Sequence, residues 1–277
     1  MRYRPPGGRL DPRGRRSPGC GSAGTPDAYT RGVPAPPDSP RFRGGPASRR
    51  LSTLRRSLRA SPVLGPLVAG AAYLPSRVVS MEWYRVMERA PGDADPAVDG
   101  LEVRRADRGD GPLFESIGKN TADEFERRLS DGDVAFVATL DGNPAGHLWF
   151  RSGAWDEGDV RYVLDEDDRW GYDLFVHPGA CGRGVGPALN VAGLRQMAAR
   201  EGATRMLSVV DVLNDASLAS AARSGGVPRA ELVVLSVGPW GAMREKDFGT
   251  GATRWRRLRR GGPTDYRVSR SRVGAAD

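Results

Sequence analysis

The chain has 277 residues and a formal net charge of +8, a length for one or two domains. Its charge is divided: residues 1–60 hold 14 Arg and three Asp, residues 244–277 ten basic and four acidic side chains, and residues 61–243 18 basic and 27 acidic. Two far-separated cysteines, Cys20 and Cys181, exclude a disulfide framework or a cysteine metal site, and lysine is nearly absent (Lys119 and Lys246), so the Arg-rich ends read as compositional bias more than as a nucleic-acid footprint.

Residues 1–60 are expected to be a disordered Arg/Pro/Gly-rich region, too poor in large apolar residues to offset ordering entropy. Leu51, Leu54 and Leu58 recur at helical spacing. Residues 48–76 thereby offer a membrane-surface segment that is not expected to be used, since such a stripe more often packs on its own domain, and the apolar run 61–76, interrupted or bounded by Pro62, Pro66 and Pro75, is too short to span. Residues 61–98 read as an extension or linker, with 77–89 (RVVSMEWYRVMER) ambiguous between strand and helix. A domain is expected over 99–243. It begins with a strand at 101–106, a short helix at 113–117, and a second helix, capped by Asn120 or Thr121, through Leu129. Strands at 134–140 and 145–151 flank the hairpin turn Asp141-Gly142-Asn143. Residues 156–168 read as an acidic loop with seven carboxylates, able to draw in a cation.

Next come a strand at 170–177, a glycine-rich loop, a helix from Pro187 to Arg200 ended by Gly202, and a strand at 205–210. A helix at 213–224 and a strand at 231–237 follow, and 244–277 reads as a last strand plus basic tail. This order gives a mixed α/β domain. Strand, glycine loop and helix N-terminus together form an anion cradle, since glycines let backbone N–H groups approach an anion and the first helical turn adds unpaired donors. A nucleotide P-loop would need Lys-Ser or Lys-Thr where Pro187-Ala188 stand. A dinucleotide fold would need this strand to open a parallel series.

The segment Val176-His-Pro178-Gly-Ala-Cys181-Gly182-Arg183-Gly184-Val-Gly186, with Asn214 about a dozen residues before Gly225, resembles the GNAT-type N-acetyltransferase superfamily over roughly 101–237. The resemblance implies a mostly antiparallel sheet with a central splayed strand pair, flanked by helices. It implies acetyl-CoA or another acyl-CoA as cofactor, held by Leu174, Phe175, Val176, the loop Cys181, Gly182, Arg183, Gly184, Val185 and Gly186, and Asn214. An amine acceptor, a small molecule or a peptide, would attack the thioester directly in a cytoplasmic enzyme, and a homodimer stays open. No metal is expected.

Two positions depart from the pattern. Cys181 stands where the signature has Arg or Gln, and Ala221 where many members carry a Tyr that protonates the leaving thiolate. Asp173, a carboxylate in an apolar strand, is the expected base, with alternation placing it and Phe175 opposite Tyr172, Leu174 and Val176. His147 is the second catalytic candidate, and Tyr172, Trp149 and Trp170 are candidate pocket walls. A GNAT-like module that binds coenzyme A without turnover, and an Arg-tailed nucleic-acid or membrane-surface binder, are the alternatives.

Overall fold

A computed structural model describes residues 79–92, 98–118, 120–238, 240–259, 262–268 and 270. The expectations for residues 1–60, for the leucine stripe at 51–58 and for the segment 48–76 lie outside them. Among the described residues, nine strands form one sheet in the order β11-β10-β9-β1-β8-β7-β4-β3-β2. In chain order these are β1 (Val79–Arg89), β2 (Leu101–Arg105), β3 (Val134–Leu140), β4 (Asn143–Arg151), β7 (Asp168–Val176), β8 (Arg205–Asp211), β9 (Val227–Val237), β10 (Trp240–Asp247) and β11 (Thr253–Arg257). A second sheet, β5 (Ala154–Glu157), β6 (Val160–Val163) and β12 (Thr264–Tyr266), packs on the front face of the first.

Helices α1 (Gly111–Ile117) and α2 (Ala122–Ser130) cover β3 and β4 on that front face through Phe114, Ile117, Phe125 and Trp149. Helix α3 (Val185–Glu201) packs on the back through Leu189, Leu194 and Met197, against Phe136, Leu148 and Phe150. Helix α4 (Asp215–Arg223) lies beside α3. Thr121, not Asn120, caps α2, its hydroxyl accepting from the Glu124 N–H at 3.2 Å. Large buried side chains on both faces let this sheet act as the middle of three layers.

Three elements differ from expectation. The ambiguous segment 77–89 contributes β1, which sits mid-sheet, antiparallel to β8 (Tyr84↔Asp211) and to β9 (Trp83↔Val233). Its two faces both carry charge, which hides its alternation, and of these charges Glu88 is paired with Arg205 at 3.0 Å and with Arg229 at 2.6 Å. The acidic "loop" contains the hairpin β5–β6, and most of its carboxylates are consumed by arginines. Asp156 pairs with Arg161, Asp168 with Arg205, and Asp165 and Asp167 with Arg270. The segment 244–277 continues the sheet with the rest of β10 and with β11, and β12 then runs parallel to β6.

Candidate active site

Strands β7 and β8 are parallel partners only from Asp168↔Arg205 to Trp170↔Leu207, and then part. The splay leaves Leu174, Phe175 and Val176 half-buried on the β7 side and Ser208, Val209 and Val210 half-buried on the β8 side. Leu174 and Val176 point to the back, into the α3 core, while Phe175 points to the front, 5.7 Å from the His147 ring.

The glycine loop closes the back of this cleft. Gly182 and Gly184 hold φ of +81° and +85°, the left-handed region that suits glycine, and Gly184 is the N-cap of α3. A Cβ on Gly184 would lie 3.0 Å from Val98, and one on Gly186 would lie 2.8 Å from the Ser220 hydroxyl of α4. Val185 and Gly186, in the first helical turn, have N–H groups without intrahelical acceptors. The backbone therefore fits an anionic diphosphate. Arg183 extends away to Asp141 of the β3–β4 turn, at 3.0 Å with both side chains exposed. The Cys181 sulfur turns toward the carbonyls of His177 (3.6 Å) and Val176 (3.9 Å) at the end of β7. Asn214 caps α4, its side-chain oxygen accepting from the Ser217 N–H at 3.1 Å.

Asp173 sits in a bulge. Between His147↔Phe175 and Trp149↔Tyr172 the register shifts, β7 has one residue too many, and Asp173 takes φ +51°. The bulge overturns the expected alternation: Tyr172, Asp173 and Phe175 all face the front, and only Leu174 and Val176 face the back. Strict period 2 holds only while the ladder is regular, and no turn residue in the sequence announces the interruption.

The Asp173 carboxylate is almost wholly buried. Oδ2 accepts from Arg128 Nη1 at 2.7 Å and from Asn120 Nδ2 at 3.3 Å, and lies 3.9 Å from His147 Nε2. Asn120 Nδ2 is also 3.3 Å from His147 Nε2. His147 has 0% exposure and stacks on Phe114, with ring centroids 5.0 Å apart. The geometry places both catalytic candidates together: Asp173 is held in an ion pair with Arg128, and the His147 ring is buried beside it. Trp149 and Trp170 are likewise core residues at 0% and 1% exposure, since aromatic packing buries both. Arg128 and Asn120, which complete the knot, were not expected, because α2 and β7 are distant in sequence.

Tyr172 is half-buried at the front mouth. Its hydroxyl donates to Asp133 Oδ2 at 2.6 Å, and burial together with that carboxylate pushes its pKa well above the ordinary tyrosine value. Trp155 lies beside it, with ring centroids 4.3 Å apart. The Arg128 guanidinium, 5.3 Å from the Tyr172 ring, is held strongly protonated: burial opposes its charge, but Asp173 and Glu124 outweigh that cost. Among the described residues no cluster of His, Cys, Asp and Glu has metal-site geometry, and no helix is long and apolar enough to cross a membrane.

Residues 102–225 match the model of the Acetyltransferase (GNAT) family. Among solved structures, the chain is similar to a GCN5-related N-acetyltransferase from Kribbella flavida, at 15% identity over 57% of this chain and 59% of that one, with a TM-score of 0.43. A tandem GNAT protein from the clavulanic acid biosynthesis pathway is 16% identical over 64% of this chain and 58% of that one, with a TM-score of 0.44. RimL, a ribosomal L7/L12 alpha-N-protein acetyltransferase, is 17% identical over 51% of this chain and 96% of that one, with a TM-score of 0.38. The chain thus spans under two thirds of the first two relatives. No curated protein matches it. The family match takes in the splayed strands, the glycine loop and the α3 N-terminus, and residues 102–225 are a domain of the GNAT-type N-acetyltransferase superfamily.

Proposed function

We propose that the protein is an acyl-CoA-dependent N-acyltransferase, transferring acetyl to an amine. The observation that carries this reading is the placement of the glycine cradle at the back end of the β7–β8 splay, inside a GNAT-family domain. The loop from Cys181 to Gly186 would hold the coenzyme diphosphate by backbone N–H groups, with Arg183 free to leave Asp141 for a phosphate oxygen. The open edges of Leu174–Val176 and Ser208–Val210 would bond the pantetheine arm as an added strand, with Asn214 flanking it. When bound, acetyl-CoA supplies a thioester-activated acyl group.

The bulge at Asp173 takes one residue of β7 out of the ladder, and a backbone N–H turned toward the cleft there would polarise the acyl oxygen. Asp173, Asn120, Arg128 and His147 are positioning residues that fix the bulge. A neutral amine forms the new C–N bond, the C–S bond breaks, the nitrogen loses its proton to solvent, and the thiolate gains one. Ala221 offers no proton, and a thiol with pKa near 8.5 leaves without an acid. The Ser220 hydroxyl, buried beside Gly186 and without a hydrogen-bond partner among the described residues, is a side-chain donor next to the cradle. Acetyl-CoA incubated with an amine panel should release free thiol only when an acceptor is present. Coenzyme binding with no acceptor-dependent thiol release from any amine would favour the non-catalytic module.

A further inference from the structure

Most buried carboxylates of this protein hold an arginine: Asp133 with Arg151, Asp168 with Arg205, Asp173 with Arg128, Glu88 with Arg205 and Arg229. One group at the front mouth of the cleft does not. Glu82 of β1 shares its face with Tyr84, and the tip of the β5–β6 hairpin folds over it, so that a Cβ on Gly158 would lie 3.2 Å from Glu82 Oε2. Glu157, one residue earlier, accepts from Trp155 Nε1 at 2.9 Å. Across the β1–β8 ladder from Tyr84 stands Asp211, where β8 has parted from β7. Both glutamates are half-buried, and among the described residues no Lys, Arg or His lies within 4.0 Å of either.

A second observation points into the same space. The Tyr162 hydroxyl, on a side chain 1% exposed, has no hydrogen-bond partner among the described residues and feels the charges of Glu157 and Glu82. Burial pushes both glutamates above the ordinary carboxylate range, and Glu157 raises Glu82 further, as an unneutralised pair should. Two desolvated carboxylates walled by Trp155, Tyr84 and Tyr162 have the chemistry of a cation receptor.

We propose that Glu82 and Glu157 form a subsite for a second ammonium group of the acceptor, so that the substrate class is a diamine or polyamine. This rests on the acyltransferase reading and deepens it. One aromatic layer, Trp155 on Tyr172, separates the subsite from the bulge strand, so one amine would be anchored there while another reaches the thioester.

The test uses the full chain, 1,5-diaminopentane and n-pentylamine. Calorimetry without coenzyme should show the diamine binding at least tenfold more tightly than the monoamine, and Glu82→Gln and Glu157→Gln should each reduce diamine affinity roughly tenfold at unchanged melting temperature. With acetyl-CoA present, the kcat/KM ratio of diamine to monoamine should exceed ten and fall toward one in either variant, chiefly through KM. Equal binding of the two amines, a preference unaltered by both variants, or Mg2+ binding in place of the diamine would overturn the proposal. Diamine binding without acetyl transfer would overturn the acyltransferase reading and leave the cation subsite standing.

Discussion

Asp173 is the residue on which the proposed site turns, and its part there is that of a positioning residue. Its left-handed backbone makes the bulge, and its carboxylate locks that bulge to α2 through Arg128. Removing one partner of a nearly buried ion pair strands the other charge, so Arg128→Ala should cost about 3 kcal/mol of stability in urea unfolding. Asp173→Asn keeps the size but weakens the clamp. It should lower kcat at least tenfold while acetyl-CoA affinity stays within twofold; a loss confined to coenzyme affinity would instead place Asp173 on the cofactor. The sequence singled out Asp173 correctly as unusual, since a carboxylate in an apolar strand needs a reason. It did not disclose the reason, because the partner lies 45 residues away on a helix and the bulge is a property of strand pairing.

At the scale of elements, β3, the turn at Asp141-Gly142 and β4 were legible because apolar runs and turn residues stand together there. The C-terminal end of α3 was legible too, from Gly202 after it, whereas the helix starts at Val185, two residues before the expected Pro187. By contrast, β1 carries Glu82, Arg85, Glu88 and Arg89 in one central strand, and β5 and β6 are short strands inside an acid-rich stretch, so neither shows a clean period. Element ends also carry pH dependence. Asp110, before α1, takes both guanidinium nitrogens of Arg104 at 2.6 Å and the Asp107 N–H at 2.9 Å. Arg104 leads in lowering its pKa below 3.8, so the contact is stabilising above the ordinary carboxylate range and is lost as pH falls through the lowered value. Because Arg104 is half-exposed, Asp110→Asn should cost only about 1 kcal/mol at pH 7, and thermal melts should show the difference closing toward pH 2.

For the whole molecule, the sheet joins segments from both sides of the family-matched region. β1 precedes it, β9 to β11 follow it, and β1 alone connects β8 to β9. Val86 of β1 is fully buried with Leu207 and Leu232 in the front core. A chain starting at residue 99, where the sequence suggested a boundary, should therefore be insoluble or molten, whereas one starting at residue 77 should melt cooperatively; near-UV circular dichroism separates the outcomes. The central claim rests on the glycine loop, where Gly182 and Gly184 take positive φ ahead of α3. Its most direct measurement is calorimetric titration of acetyl-CoA into the full chain and into Gly184→Glu, which sets a carboxylate against the diphosphate. The account predicts saturable one-to-one binding to the native chain and at least a hundredfold loss in the variant. Native protein that takes up no acetyl-CoA, or a variant that binds it equally well, would contradict the account.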